Sequence, residues 1–122
     1  MGGGYFYQKS YRMSHIKLHA ENKKILMPAA DIIRIEAVSN YSRIYLSNGN
    51  TIVVAKVLHL LQDLLPETMF VRVHRSHLVN KLFVKAIKGK DKKRLLMNNG
   101  EYIGVSRRNM EMIEGRLFGM TA

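Results

Sequence analysis

Three short stretches of the sequence concentrate the cationic, hydroxyl and amide side chains that bind nucleic acids. They are Ser39-Asn40-Tyr41-Ser42-Arg43, Arg72-Val73-His74-Arg75-Ser76-His77 and Ser106-Arg107-Arg108-Asn109. Cationic side chains attract phosphates, whereas planar or bidentate groups can hydrogen-bond to base edges. The third stretch falls where a strand pattern gives way to a helix pattern, and backbone N–H groups at such a step also favour an anion. Together the three stretches predict a nucleic-acid surface.

Each stretch also has an explanation that involves no ligand. Asn40 and Tyr41 could cap a turn, and Arg72 could lie along a sheet face with its charge at the edge. The two arginines of the third stretch could pair with Glu111 and Glu114 on a helix surface, which is worth only about 0.2–0.5 kcal/mol per pair. The lysine-rich segment 85–93 fits either a solvated hairpin or a set of phosphate contacts.

A catalytic or metal site has little support in the sequence. His74 and His77 are spaced so that they could chelate a metal on a turn, but the chain has no cysteine and no carboxylate pair flanks them. Two ligands do not make a zinc site. Ser76, His74 and Asp91 contain the residue types of a hydrolytic triad, yet no glycine elbow or oxyanion loop accompanies them. We therefore expect no enzyme activity, no metal and no cofactor.

The charge balance favours a polyanionic partner. The 122 residues carry 20 Lys and Arg against 9 Asp and Glu, a formal net charge of +11. Most of the excess lies in residues 70–122, and such a balance indicates nucleic acid first and an anionic membrane surface second. The absence of cysteine fits a reducing compartment. No apolar run has membrane-spanning length, and the N-terminus lacks the apolar core of a signal peptide, so we expect a cytoplasmic protein without a membrane anchor.

The periodicity of the sequence predicts a mainly β domain. Apolar residues alternate with a period of two in most segments, and Asn48-Gly49 and Asn99-Gly100 are strong signals for hairpin turns. The predicted strands lie near 15–19, 24–27, 32–38, 43–46, 51–54, 70–73, 84–87, 95–97 and 102–105. A helical period returns at 57–65 and again after Ser106, a plausible N-cap for a short closing helix weakened by Gly115. We predict antiparallel β-sheets with two or three short helices in a domain spanning 12–119, after a flexible tail at 1–11.

Taken in order along the chain, these segments resemble the LytTR family of bacterial DNA-binding domains. Asp31-Ile-Ile-Arg-Ile-Glu36-Ala followed by Asn40-Tyr41 is similar to the opening signature of the family. The segment from Phe70 to Asn80 is close to its F-x-R-x-H-R-S-x-x-V-N core, and Val105-Ser106-Arg107-Arg108 is similar to its closing V-S-R-R element. The resemblance covers about residues 12–118, and the ordered set of motifs is specific where a single motif is not.

The resemblance implies a fold of antiparallel sheets whose strand-connecting loops enter the major groove of double-stranded DNA. It implies a transcription regulator that binds promoter repeats, commonly as two copies. Base-reading positions carried over by motif are Tyr41, Ser42, Arg75 and Arg108, with Arg75 suited to the O6 and N7 acceptors of guanine. The positions expected to contact phosphate or support the loops are Asn40, Arg43, Lys56, His74, Ser76, Asn80 and Arg107.

Many family members are response regulators of two-component systems and carry an N-terminal receiver domain, which this chain lacks. The sequence fits either a free-standing regulator or the last part of a longer protein. Two other functions stay open: RNA binding by the same basic surface, and a protein-interaction module whose charge serves solubility. Exposed aromatic side chains on a sheet would favour RNA, because single strands are read by stacking, but Tyr41, Tyr45 and Tyr102 are scattered.

Overall fold

A computed structural model describes residues 15–90 and 94–118. The strands are β1 (His15–Ala20), β2 (Lys23–Pro28), β3 (Ile32–Val38), β4 (Tyr41–Leu46), β5 (Thr51–Val54), β6 (Phe70–His74), β7 (His77–Asn80), β8 (Val84–Lys88), β9 (Arg94–Met97) and β10 (Tyr102–Gly104). The α-helices are α1 (Leu58–Leu64) and α2 (Met110–Phe118), and short 3-10 helices occupy Ala29–Asp31 and Lys81–Phe83. The mainly β prediction is confirmed; the predicted tail at 1–11 and both predicted domain limits lie outside the described residues.

The centre of the fold is a five-stranded antiparallel sheet with the order β5-β4-β3-β7-β6. The turn at Asn48-Gly49 joins β4 to β5 as predicted, and Gly49 takes the positive φ of 93° that such a turn favours. Strand β7 was not predicted, because the polar stretch 74–77 was interpreted as one turn. In the structure only Arg75 and Ser76 form the turn, and His77 already pairs with His74.

Both faces of the central sheet are buried, and each face has its own apolar core. Successive residues of one strand point to opposite faces, so Ile32 and Leu78 enter one core while Ile33 and Val79 enter the other. The β1-β2 hairpin and α1 cover the first face. The three-stranded sheet β10-β9-β8 and α2 cover the second. This two-sided burial explains the nearly continuous apolar run at the start of β3.

The two helices are shorter than the sequence pattern suggested. Val57 and Leu65 flank α1 with extended backbone instead of belonging to it. Helix α2 begins at Met110, so Ser106 is not its N-cap; the backbone N–H of Ser106 instead donates to the carbonyl of Val73, 2.7 Å away. The third polar stretch is therefore an irregular loop tied to the end of β6.

A charged contact joins the central sheet to the three-stranded sheet. Arg34 on β3 is buried, and its Nε and Nη2 atoms donate to the two carboxylate oxygens of Glu101 at 3.0 and 3.2 Å. Its guanidinium also lies over the ring of Tyr45, 3.7 Å from the centroid. The hydrogen bond from Arg34 holds the pKa of Glu101 below its usual value, because it stabilises the charged carboxylate.

The lowered pKa of Glu101 predicts a loss of stability in acid. The unfolded chain binds a proton at the ordinary carboxyl pKa, before the folded chain does, so stability falls as the pH drops below about 4.5 and through the lowered value. Because Glu101 is partly exposed, we expect an effect below about 1 kcal/mol. Thermal melts between pH 7 and pH 2.5 should show the melting temperatures of the wild type and Glu101→Gln converging in acid. A constant difference over that range would contradict this role.

Candidate nucleic-acid interface

The β3–β4 turn and the β6–β7 turn lie side by side at the same end of the strands of the central sheet. Val38 pairs with Tyr41 across the first turn, and His74 pairs with His77 across the second. The backbone N–H of Ala37 donates to the carbonyl of Ser76 at 2.9 Å, which fixes the two turns to each other. The antiparallel register therefore brings the first and second polar stretches together.

The third polar stretch joins the same surface through the loop before α2. An open cleft of about 440 Å³ separates this loop from the β6–β7 turn. The polar residues that line it are Arg72, His74 and Arg75 on one side and Ser106, Arg108 and Asn109 on the other. Two residues predicted to read bases, Arg75 and Arg108, thus face one cleft from two different loops.

The arginines of this surface are available to a ligand. Arg75, Arg107 and Arg108 are exposed. In residues 15–90 and 94–118, none of their guanidinium groups forms a hydrogen bond or an ion pair. Within the same residues, no ion pair joins the third stretch to Glu111, one of the two partners that the sequence allowed. Exposed cations left without protein partners are what phosphate and base contacts require.

The surface extends along the same end of the sheet through Asn40, Tyr41 and Lys56. All three side chains are exposed, with 37% of Tyr41 accessible. Lys56 follows β5, whose last residue Val54 pairs with Ser42 just beyond the β3–β4 turn. Arg43 is half-buried on β4 opposite Glu36, and a hydrogen bond with Tyr45 raises its pKa. The guanidinium of Arg43 therefore stays charged at any physiological pH.

The position of Ser42 differs from the expectation that it reads a base. Its side chain is fully buried, and its Oγ donates to the backbone carbonyl of Lys56 at 2.7 Å. A hydroxyl without exposed surface cannot meet a base edge. In the structure, Ser42 instead fixes the chain that presents Lys56.

Asn80 is also inside the protein, so it cannot contact a phosphate. Its Nδ2 donates to the carbonyl of Ile32 at 2.9 Å, and its Oδ1 accepts from the backbone N–H of Leu82 at 2.9 Å. Asn80 therefore supports the fold by joining β7 to β3 and by capping the 3-10 helix that follows. Its amide satisfies the buried carbonyl of Ile32 and the N–H at the start of the 3-10 helix.

A hydrogen-bond network centred on Arg72 holds the β6–β7 turn. Arg72 is not among the residues that the sequence predicted to read bases, contact phosphate or support the loops. Arg72 donates from Nε to the carbonyl of His74 and from Nη2 to the carbonyl of Arg75, at 2.9 and 2.5 Å. His74 Nδ1 accepts from the backbone N–H of Ser76 at 3.0 Å. Burial lowers the pKa of Arg72. The sequence allowed Arg72 to lie along the sheet, and only the geometry shows that it holds the turn.

His77 begins β7 directly beside this network. Its ring centroid lies 5.4 Å from that of His74, and its buried Nδ1 has no hydrogen-bond partner in the described part of the chain. Burial lowers the pKa of His77 because desolvation disfavours the charged ring. Among the residues whose placement is described, no group of three or more His, Asp or Glu side chains could hold a metal ion.

The family of the chain is shown by comparison with known proteins. The family described as "LytTr DNA-binding domain" matches residues 22–117, most of the chain. The chain belongs to the LytTR family. This assignment confirms the resemblance seen in the sequence, and it implies DNA binding in a transcription regulator and no enzyme activity.

A solved structure supports the LytTR assignment at the level of the fold. It is described as the LytTr DNA-binding domain of a methyl-accepting/DNA response regulator from Bacillus cereus. The two chains share 28% identity and a TM-score of 0.71, over 88% of this chain and 98% of the other. A search among curated proteins finds no match. In the described residues of this LytTR domain, no helix is long and apolar enough to cross a membrane.

Proposed function

We propose that this LytTR domain binds double-stranded DNA at specific sequences, with Tyr41, Arg75 and Arg108 meeting base edges in the major groove. The observation that carries the proposal is the cleft where Arg75 and Arg108 project from two loops, with neither guanidinium paired to a side chain among residues 15–90 and 94–118. A guanidinium can donate two parallel hydrogen bonds to guanine O6 and N7, which no other base pair offers in the same pattern. Two such groups on one surface supply sequence discrimination in addition to charge.

Phosphate contacts complete the proposed mode of binding. Asn40, Lys56 and Arg107 are exposed around the two turns and the loop before α2, where a duplex backbone would pass if the turns enter the groove. Arg43 contributes charge from the adjoining strand. Each phosphate neutralised releases condensed counterions, so log K should fall with log salt by about 0.9 per contact. Phosphate contacts fix the position on the duplex, and base contacts fix the sequence.

We further propose that this LytTR domain is the DNA-binding part of a cytoplasmic response regulator and that two copies bind repeated promoter sites. The B. cereus relative is described as part of a response regulator. RNA binding is less well supported. Of the three tyrosines considered for stacking, Tyr45 is occupied, because its ring lies under Arg34 and its hydroxyl donates to Glu36 at 2.9 Å.

The test is selection from a random-sequence duplex pool at near-physiological salt. Enrichment of a short motif in repeated copies supports a sequence-specific regulator. Binding without enrichment would leave a basic domain with general polyanion affinity, and RNA or a protein partner would then be tested by competition among duplex DNA, single strands and heparin.

Replacement of Arg75 should affect one base pair more than overall affinity. Arg75→Ala removes a bidentate donor, so we expect a loss of about 1–3 kcal/mol on the selected site and relaxed preference at one position. The control is Arg94→Ala, which removes the same charge from β9, where Arg94 lies over Tyr102. This control should weaken all sequences equally or not at all. A uniform loss for Arg75→Ala would refute the base-reading role.

A further inference from the structure

The β6–β7 turn lacks the backbone conformation that usually closes a two-residue hairpin. Such turns favour types I′ and II′, which need a positive φ at one or both central residues. The β1–β2 turn has this form, with Glu21 at 50° and Asn22 at 64°. Arg75 and Ser76 are not among the residues with positive φ. A turn without positive φ splays its strands unless other contacts hold it.

Arg72 provides those contacts from within the hairpin. Its guanidinium hydrogen-bonds the carbonyls of both His74 and Arg75, so it fixes the peptide groups on either side of the Arg75 Cα atom. A β-bulge between Arg72 and His74 breaks the register of the hairpin at the same place. Bulges bend a strand and redirect the side chains that follow. The bulge and the guanidinium together set the direction in which Arg75 leaves the turn.

Gln62 on α1 anchors the guanidinium from the other side. Nη1 of Arg72 donates to Gln62 Oε1 at 2.9 Å, so one planar group joins a helix to two carbonyls of the turn. Helix α1 is itself fixed by Leu58 and Leu61, which are buried in the first core. The position of the turn is thereby fixed relative to the core of the domain and not only relative to its own two strands.

We propose that Arg72 and Gln62 are positioning residues that set the direction of Arg75 and therefore the base preference of this domain. This inference rests on the proposed function, since it assigns to Arg72 and Gln62 an effect on base reading by Arg75. Lysine cannot replace Arg72, because an ammonium is a point charge without the planar fork that reaches three acceptors at once. The positive charge itself is retained by such a replacement.

The experiment measures dissociation constants for the selected site and for all four base pairs at the position where Arg75→Ala loses preference. Wild-type protein should discriminate there by about tenfold to a hundredfold. Arg72→Lys should reduce that ratio to within about threefold, while affinity for random duplex changes by less than about twofold because the charge is kept. Gln62→Leu removes the helical acceptor without altering charge and should lower discrimination at the same base pair. Leu60→Gln, an exposed change on the same helix, is the matched control and should alter neither quantity.

The double variant Arg72→Lys/Arg75→Ala separates positioning from a general structural effect. If Arg72 acts through Arg75, adding Arg72→Lys to Arg75→Ala should cause no further loss of discrimination, because coupled residues are not additive. Full discrimination in Arg72→Lys, an equal loss on every sequence, or additive losses in the double variant would each overturn the proposal. If Arg72→Lys fails to fold, Gln62→Leu tests the proposal in its place. Discrimination as high as that of the wild type in Gln62→Leu would then overturn the proposal. Failure of the proposed function is a different result: wild type itself would then show no preferred base.

Discussion

The Asn80→Ala variant should lower the free energy of unfolding by about 2–5 kcal/mol, with no direct effect on DNA contacts. Asn80 is fully buried, and its amide satisfies the carbonyl of Ile32 and the N–H of Leu82. Alanine leaves the buried carbonyl of Ile32 without its partner, which costs about 1–3 kcal/mol, and it also removes the cap from the N–H of Leu82, a residue at the surface. A small cavity adds to that cost. Urea unfolding followed by circular dichroism measures the change.

Asn98→Ala is the matched control for this prediction. Asn98 is exposed and donates to the carbonyl of Leu82 over 3.5 Å, at the limit of a hydrogen bond. Its replacement should therefore change stability by less than about 0.5 kcal/mol. If Asn80→Ala remained as stable as Asn98→Ala and instead weakened DNA binding at every sequence, the phosphate contact that the sequence allowed as an alternative to loop support would be restored.

The Arg34→Ala variant should destabilise the domain by about 2–4 kcal/mol. It removes two charged hydrogen bonds to Glu101, worth about 1.5–3 kcal/mol each before the rehydration of Glu101 offsets part of the loss. It also removes the contact with the ring of Tyr45 and the packing of the long stem between two sheets. The exposure of the two side chains, 9% for Arg34 and 38% for Glu101, means that Glu101 can be rehydrated once its partner is gone.

Arg34→Met distinguishes the contribution of the stem from that of the guanidinium. Methionine preserves most of the apolar volume, so Arg34→Met should keep about half of the stability that Arg34→Ala loses, as measured by thermal and chemical unfolding. If the two variants were equally unstable, packing of the stem would contribute nothing. If neither lost stability, the bidentate contact with Glu101 would be dispensable to the attachment of the three-stranded sheet.

Local signals account for the parts of the fold that could be predicted from the sequence. Asn-Gly pairs predicted both glycine hairpins, because their backbone needs a conformation that few other residues adopt. Short apolar segments, alternating with polar residues in some strands and continuous in others, predicted β1 to β6 and β8 to β10. Strand β7 was missed because His77, its first residue, belongs to a polar stretch, and because one of its two partner strands, β3, is far away in the sequence. Pairing between distant strands leaves no local pattern.

The candidate site could be located from residue types, but the roles of individual residues could not. Arg75 and Arg108 were assigned from the resemblance to the family motif, and both are exposed in the structure. Ser42 and Asn80 have the same polar character, yet both are buried and bond to backbone groups. Burial depends on what packs above a residue, and a polar side chain that satisfies a distant carbonyl resembles a binding residue in the sequence. Only the three-dimensional contacts separate these cases.

The pairing of β3 with β7 determines the distance between the two turns of the proposed interface. Because side chains alternate along a strand, any slip that keeps the cores intact must be two residues long. Such a slip would move one turn relative to the other by about 6.8 Å, or about two base-pair steps of a duplex. Backbone register, and not the side chains of Tyr41 or Arg75, therefore fixes the separation of the bases that the two turns would meet. Substitutions within the turns can change which bases are preferred while the spacing of the recognised sequence stays constant.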